Sequence, residues 1–267
     1  MLTRRVARRT FLGTLRLTLL LVVLAWVALG AWLDRSRSRD WDGTLRVTVY
    51  PVAPAGDRIS LEYAAGLTAD DFAAVAAFFA TQASAYGVPV DPPVRIRVSH
   101  ASPGLPPALP DRPGPLTIAA WSLRLRWYAA RVAWKDPLPS PDIQIFATFA
   151  PLGPGTQALP DSVGLSKGLV AVAHLYADDQ AAGGNQVVMA HELLHTLGAT
   201  DKYDPASGQP RVPDGLGEPE REPVYPQQYG EIMAGRIATA SHQAVMPRDL
   251  GMMRVGPLTA REIGWVQ

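Results

Sequence analysis

Two histidines stand four residues apart in the segment QVVMAHELLHTLGATDKYD, which spans residues 186–204. On an α-helix, residues i and i+4 share one face, so His191 and His195 would present their imidazole rings one turn apart. Rings in this arrangement can bind one Zn²⁺ ion without a loop folding back. The apolar residues around them favour a mostly buried helix, and a metal would account for its polar edge. The spacing therefore predicts a helix that carries two zinc ligands.

The neighbouring residues supply the rest of a candidate catalytic zinc site. Glu192 lies beside the histidine face, where it can take a proton from an attacking water molecule rather than bind the metal. A catalytic site needs a third protein ligand and one open position. Gly198 is placed to end the helix in a left-handed turn, which would bring Asp201 back toward the histidines. We predict Asp201 as the third ligand, with Asp204 and Glu231 as alternatives.

The segment HELLHTLGATD at residues 191–201 resembles the extended signature HExxHxxGxxH of the metzincin metalloproteases, with aspartate in the last ligand position. This variant is similar to the snapalysin-like and immune-inhibitor-A-like secreted proteases, and DKYD at 201–204 is similar to the D-x-Y-D of the second group. YGEIMAG at 229–235 resembles that group's methionine turn, and LTAREIGWV at 258–266 is similar to the helix that follows the turn. The resemblance covers roughly residues 183–267.

The resemblance implies an α+β fold, a metzincin-like zincin domain in which a twisted sheet carries an active-site helix and backing helices. It implies a Zn²⁺-dependent endopeptidase that acts on a protein or peptide, with Glu192 as general base. It also implies that the strand before the active-site helix, here at 168–176, forms the edge along which an extended peptide pairs.

Three side chains are predicted to support the site. The resemblance makes Met233 a hydrophobic floor below the metal, not a ligand, with Met246 as a possible substitute. Tyr203 or Tyr229 could donate a hydrogen bond to the oxyanion, although a structural role is the stronger expectation for each. His174, on a predicted strand, is left out of the site, and so is His242.

Two other functions remain open at this stage. One is a membrane-tethered module that binds a peptide or protein and has a structural or inactive zinc site; the intact Glu192 argues against it. The other is a zinc hydrolase of a non-protein amide, such as a cell-wall cross-link, because the motif defines the chemistry better than the substrate. Asp178 and Asp179 could bind calcium, but a solvated turn is the better interpretation.

The rest of the chain predicts a small sheet covered by helices. Thr68 and Asp71 indicate the start of a helix that ends near Gly87, and a second helix is expected over 116–134. We expect the tryptophans at 121, 127 and 134 of that helix to pack in the core. Alternating or continuous apolar residues predict strands at 44–53, 94–99, 142–149 and 168–176. We expect one domain over 41–267, with the upper sheet and helices in 41–160 and the zinc site, methionine turn and C-terminal helix in 161–267.

An uncharged run of 17 residues, 17–33, follows five arginines and predicts a transmembrane signal-anchor helix after a basic cytoplasmic segment, together spanning 1–40. The positive-inside rule then sends the domain across the membrane, to the periplasmic or extracellular side. Alternatives are a cleaved signal near Ala28-Leu29-Gly30, which would make the protein secreted, and a buried helix. Arg8 and Arg9 also resemble a twin-arginine export signal.

Charge and cysteine content exclude several classes of function. The first 40 residues hold eight arginines and two aspartates, which leaves 17 basic and 22 acidic side chains in residues 41–267. This acidic domain has no electrostatic footprint for nucleic acid. The chain has no cysteine, which excludes disulfides, thiolate zinc ligands and a cysteine nucleophile.

Overall fold

The computed structural model describes residues 40–266 except 103, 111, 113, 154–158, 161 and 166–168, together with Thr18 and Leu21, which are helical. The rest of the predicted anchor at 17–33 lies outside the described residues. Within the described part, no single helix is long and apolar enough to cross a membrane, and only the pair Arg58–Gly66 and Ala69–Ala85, bent by 90°, meets that test by length and composition.

A five-stranded sheet forms the centre of the domain, with the strand order β2-β1-β3-β5-β4. Four strands, β1, β2, β3 and β5, run parallel. Crossovers with helices join β1 to β2 and β2 to β3, whereas β3 leads to β5 through the segment that contains β4. The fifth, β4, is antiparallel to β5 and forms an edge. The bounds are β1 Leu45–Val52, β2 Val94–Val98, β3 Ile143–Ala150, β4 Val163–Leu165 and β5 Val170–Tyr176.

Between residues 40 and 266 the structure describes five α-helices, and they cover both faces of this sheet. Asp57 caps the first helix by accepting a hydrogen bond from the Ser60 amide. A 3₁₀ turn at Ala69–Phe72 precedes the second helix, so the single helix predicted from Thr68 to Gly87 is divided in two. The bounds are α1 Arg58–Gly66, α2 Ala73–Ala85, α3 Pro115–Lys135, α4 Ala182–Thr196 and α5 Pro257–Glu262.

Alternate residues of the central strands enter two separate cores. Ile145 and Ala171 face the larger core, which α1, α2, α4 and α5 cover. Phe146 and Val172, one residue further along each strand, face the smaller core beneath α3. This alternation follows from the two-residue period of a strand. The expected sheet covered by helices is confirmed, although its mixed α/β layering, with parallel strands and crossover helices, differs from the α+β class predicted.

The expectation that all three tryptophans of α3 pack in the core is wrong for two of them. Trp121 is 5% exposed, whereas Trp127 and Trp134 are 68% and 87% exposed. The buried line of the helix runs through Trp121, Leu125, Ala129 and Val132. Positions 127 and 134 lie on the opposite side of a 3.6-residue helix and therefore face outward.

The C-terminal third of the domain contains short strand pairs and turns. β6 at Gly230–Glu231 pairs with β9 at Met253–Arg254, and β7 at Ile237–Ala240 pairs with β8 at Gln243–Val245. A 3₁₀ turn at Ile232–Ala234 lies between β6 and β7. These elements lie below α4 and bring the chain to α5, which packs into the larger core.

Candidate metal centre

Helix α4 presents the two histidines at its partly exposed edge. Val187, Met189, Leu193 and Leu194 bury its other sides against the sheet and neighbouring turns. The rings of His191 and His195 lie with their centroids 4.6 Å apart and nearly perpendicular. Their side chains are 15% and 18% exposed, so both rings are held by packing, and His191 lines a cavity.

Main-chain carbonyls determine which nitrogen of each ring faces Asp201. His191 Nδ1 lies 3.0 Å from the Ile232 carbonyl oxygen, and His195 Nδ1 lies 2.9 Å from the Ala199 carbonyl oxygen. A carbonyl oxygen only accepts, so each Nδ1 carries the hydrogen and donates it. In the neutral imidazole, Nε2 then has a free lone pair, as a metal ligand requires.

Both Nε2 atoms converge on one carboxylate oxygen. Asp201 Oδ1 lies 3.2 Å from Nε2 of His191 and 3.2 Å from Nε2 of His195. Three acceptor atoms facing one point repel one another unless a cation or added protons lie between them. Neutral imidazole nitrogens with a carboxylate oxygen form a ligand set that suits zinc. The donor set therefore fits a zinc ion held by His191, His195 and Asp201.

Without a metal ion, the charges of these groups favour a proton between His191 and Asp201. Burial works against the charged form of Asp201, yet hydrogen bonding and charge from the two histidines outweigh it and hold the carboxyl pKa well below its usual range. Burial likewise opposes a charge on His191, but its contact with Asp201 and nearby Glu192 raise the imidazole pKa overall. A metal ion at this point would compete with protons for the same lone pairs.

Glu192 is buried beside the histidines, with a side chain that lacks a hydrogen-bond partner at one oxygen. The residue is 3% exposed, and its Oε2 atom is an orphaned buried acceptor. Burial raises the pKa of this carboxyl above its ordinary value, against the opposing effect of the two histidines. A carboxylate of raised pKa at the edge of a cavity is suited to accept and return a proton.

The turn after α4 carries Asp201 back to the histidines. Gly198 has a φ of 99°, a left-handed conformation that favours glycine. The Lys202 amide donates to the Met233 carbonyl at 3.0 Å. The buried Lys202 ammonium donates to the Thr200 carbonyl and to Glu262 of α5, each at 2.7 Å. Asp201 is thus held between fixed neighbours on both sides.

Main-chain carbonyls of the segment around Met233 hold both His191 and the turn that carries Asp201. Met233 is fully buried, and its 3₁₀ turn ends at Gly235, whose φ is 67°. The Ile232 carbonyl orients His191, and the Met233 carbonyl holds Lys202. Met246 is 66% exposed at the cavity rim, so the structure does not place it as a buried floor.

The two alternative third ligands engage other partners. Glu231 is fully buried and accepts from the amides of Met233, Ala234 and Gly256 and from the Thr259 hydroxyl. Asp204 accepts from the amides of Ala206 and Ser207 in an exposed turn. Of the three candidates, Asp201 is the one whose carboxylate reaches both histidines.

The two candidate tyrosines lie in different places. Tyr203 lines the same cavity as His191 and Glu192. The ring of Tyr229 lies under the Arg254 guanidinium, 3.8 Å from its centroid, in a separate cavity that shares no lining residue with the first. The structure thus brings Tyr203, but not Tyr229, to the candidate centre.

The cavity at His191 and Glu192 has a volume of about 690 Å³ and is lined mainly by apolar atoms. His174, which sequence reasoning left out, lines it together with Tyr176 of the same strand. The signal for both was the two-residue period of β5, which places positions 174 and 176 on one face. Asp178 caps the turn leading into α4 by accepting from the Gln180 amide, a solvated-turn arrangement.

The edge strand of the sheet next to β5 is β4, which corrects the prediction that 168–176 forms the edge. β4 covers the first half of β5 through the pairs Val163–Val172, Gly164–Ala171 and Leu165–Val170. Further along, the Tyr176 amide and carbonyl bond the Asn185 side chain. A three-residue strand containing glycine has no recognisable period, and sequence reasoning missed it.

β4 lies directly against the histidine turn of α4. A Cβ atom added at Gly164 would lie 2.4 Å from His195 Cβ and 2.7 Å from the Glu192 carbonyl oxygen. Only glycine allows this approach without a shift of the strand or helix. A close strand edge therefore borders the candidate centre.

Comparison of the chain with models of known protein families and with curated proteins gives no match in either case.

Proposed function

We propose that this protein is a zinc-dependent endopeptidase of the metzincin type. The observation that carries the proposal is the convergence of two histidine Nε2 atoms on Asp201 Oδ1, with the Glu192 carboxylate, whose Oε2 has no hydrogen-bond partner, beside them. The resemblance of residues 191–201 to the extended metzincin signature supports the same assignment.

In this proposal His191, His195 and Asp201 hold the ion. Bound zinc supplies a Lewis acid and lowers the pKa of water toward neutrality. Glu192 accepts the proton released as water attacks the scissile carbonyl and then returns it to the leaving amine. Burial raises the pKa of Glu192, which moves this carboxyl toward the range in which one group can both accept and return a proton. Tyr203, at the cavity wall, is placed to contact the substrate.

The outer edge of β4 is the surface along which we propose that an extended peptide pairs. β4 is the edge strand next to β5, and Gly164 contacts the helix turn that carries His195. An edge strand has unpaired backbone groups on its outer side, and these can bond to an added strand. The peptide would then pass close to Glu192.

We also propose that the apolar run at 17–33 holds the domain at the outer side of a membrane. The five arginines before the run and the positive-inside rule support this orientation.

The first test measures the metal content of the full-length protein by mass spectrometry, beside a His191→Ala variant. We expect about one zinc per chain in the native protein and none in the variant. Glu192→Gln should keep the zinc but lose cleavage of an unfolded protein by at least about a hundredfold. Wild-type cleavage by Glu192→Gln would refute the assigned base.

The choice of substrate separates the proposal from its competitors. Cleavage of unfolded protein, without release from isolated cell-wall fragments, supports an endopeptidase. The reverse result would point to a hydrolase of another amide. Zinc without either activity would favour a binding module.

A further inference from the structure

Helix α3 has a second apolar side that no part of the described chain covers. Its first apolar side is buried against the sheet at Trp121, Leu125, Ala129 and Val132. On the opposite side, Leu116, Leu123, Trp127 and Trp134 are 86%, 65%, 68% and 87% exposed. Spacings of seven, four and seven residues place these four side chains in one line along the helix. We call this line the outer face of α3.

Every charged side chain of α3 is basic. Arg124, Arg126, Arg131 and Lys135 occur in this helix, and residues 115–135 contain no aspartate or glutamate. Arg124, Arg131 and Lys135 share a shallow hollow with Trp127 and Tyr128. The positive charge is therefore concentrated next to the outer face, whereas residues 41–267 as a whole carry a net negative charge.

The chain enters the domain at the same end of the sheet at which α3 ends. Asp40 and Asp42 line a hollow with Ser140 and Asp142, just before β3 begins. Lys135, the last residue of α3, is five residues before Ser140, a reach of at most about 18 Å. The apolar run ends at Leu33, seven residues before Asp40, a reach of at most about 25 Å.

We propose that the outer face of α3 is a membrane-surface docking site for anionic phospholipids. Leu123, Trp127 and Trp134 would lie at the boundary between headgroups and acyl chains, where tryptophan is favoured. Arg124, Arg131 and Lys135 would bind the lipid phosphates. The domain as a whole carries a net negative charge, so anionic lipids would repel its remaining surface. The proposal requires neither the metal centre nor its activity.

The test uses the full-length chain reconstituted into vesicles of phosphatidylcholine alone or with about one third phosphatidylglycerol. Because the chain has no cysteine, one introduced cysteine takes an environment-sensitive dye at a single position. Ala120→Cys and Ala130→Cys place the dye on exposed positions of the outer face and leave its tryptophans intact. Ala65→Cys, an exposed alanine of α1, is the matched control.

In the anionic vesicles we expect blue-shifted emission and quenching by lipid-borne quenchers at positions 120 and 130, but not at 65. Exchange of Arg124, Arg131 and Lys135 for glutamine should lower the fraction docked by about tenfold or more. Exchange of Trp127 and Trp134 for serine should remove the blue shift.

Two results would overturn the proposal. In one, the dye at 120 and 130 reports water in both kinds of vesicle. In the other, the emission is blue-shifted but lipid-borne quenchers have no effect, which would show that protein covers the face. Dependence of that shift on protein concentration would then identify a second copy of the chain.

Discussion

His191 and His195 owe their orientation to main-chain carbonyls, which no side-chain substitution removes. The Ile232 and Ala199 oxygens hold the two Nδ1 atoms and leave both Nε2 lone pairs directed at Asp201. Backbone carbonyls therefore orient the two imidazole rings, and the Asp201 side chain alone supplies the third acceptor atom.

Exchange of Asp201 for alanine should therefore weaken zinc binding strongly. Loss of one of three protein ligands should lower the affinity by more than about a hundredfold, beyond the effect expected for an outer partner. Competition with a fluorescent zinc chelator measures the affinity. Asp204→Ala is the matched control and should change it by less than about threefold, because Asp204 bonds only to its own turn. Equal losses in the two variants would contradict the assignment of Asp201.

At the scale of elements, the centre depends on how closely β4 approaches α4. Gly164→Ala should destabilise the fold by about 1–3 kcal/mol, because the added methyl group meets His195 Cβ and the Glu192 carbonyl. Gly184→Ala, in α4 itself, meets nothing within 4 Å. That variant should stabilise the helix by about 0.5–1 kcal/mol. Urea unfolding measures the stability of both variants. Equal unfolding midpoints would rule out a tight contact between Gly164 and α4.

Glu231 joins the turn around Met233 to the start of α5. Its carboxylate accepts from two amides of that turn and from Gly256 and Thr259. Glu231→Gln replaces one acceptor oxygen with a donor and should cost about 3 kcal/mol in the free energy of unfolding. Glu218→Gln, on a half-buried residue that also accepts backbone amides, should cost about 1 kcal/mol. Denaturant titration measures the free energy of unfolding of both variants. Comparable losses of stability would show that Glu231 does not link the turn around Met233 to α5.

The sequence predicted the long elements better than the short ones. β1, β2, β3 and β5 lie within one or two residues of the strands predicted, because their apolar patterns were continuous. α1 was missed, since its short mixed segment has no clear apolar stripe. The pairing of β4 was missed because it depends on contacts with β5 and α4.

The candidate site was predictable where it depended on local spacing. Positions i and i+4 placed both histidines, and the glycine turn placed Asp201 beside them. His174 and Tyr176 were missed because the neighbouring strands and α4 determine which cavity they line. The outward position of Trp127 and Trp134 was missed for a different reason. α3 is apolar on two sides, and a sequence pattern alone does not show which side the sheet covers.

At the scale of the whole molecule, the proposed zinc ion should contribute to stability. Removal of zinc from the full-length protein by a chelator should lower the free energy of unfolding by about 4 kcal/mol at a zinc concentration a thousand times Kd. This corresponds to a fall of roughly 10 °C in the melting temperature. Calorimetry with and without the chelator measures it. His191→Ala should show no response, and a response equal to that of the native chain would place the ion elsewhere.

The two ends of the domain are fastened to each other. The Trp41 indole donates to the Ile263 carbonyl across 222 positions of sequence, and its ring packs on Trp265. Glu262, next to that carbonyl, holds Lys202 beside Asp201. During synthesis, helix α4 therefore emerges well before the residues that fix the third ligand. A growing chain carries both histidines before Glu262, which holds Lys202 beside Asp201, has been added.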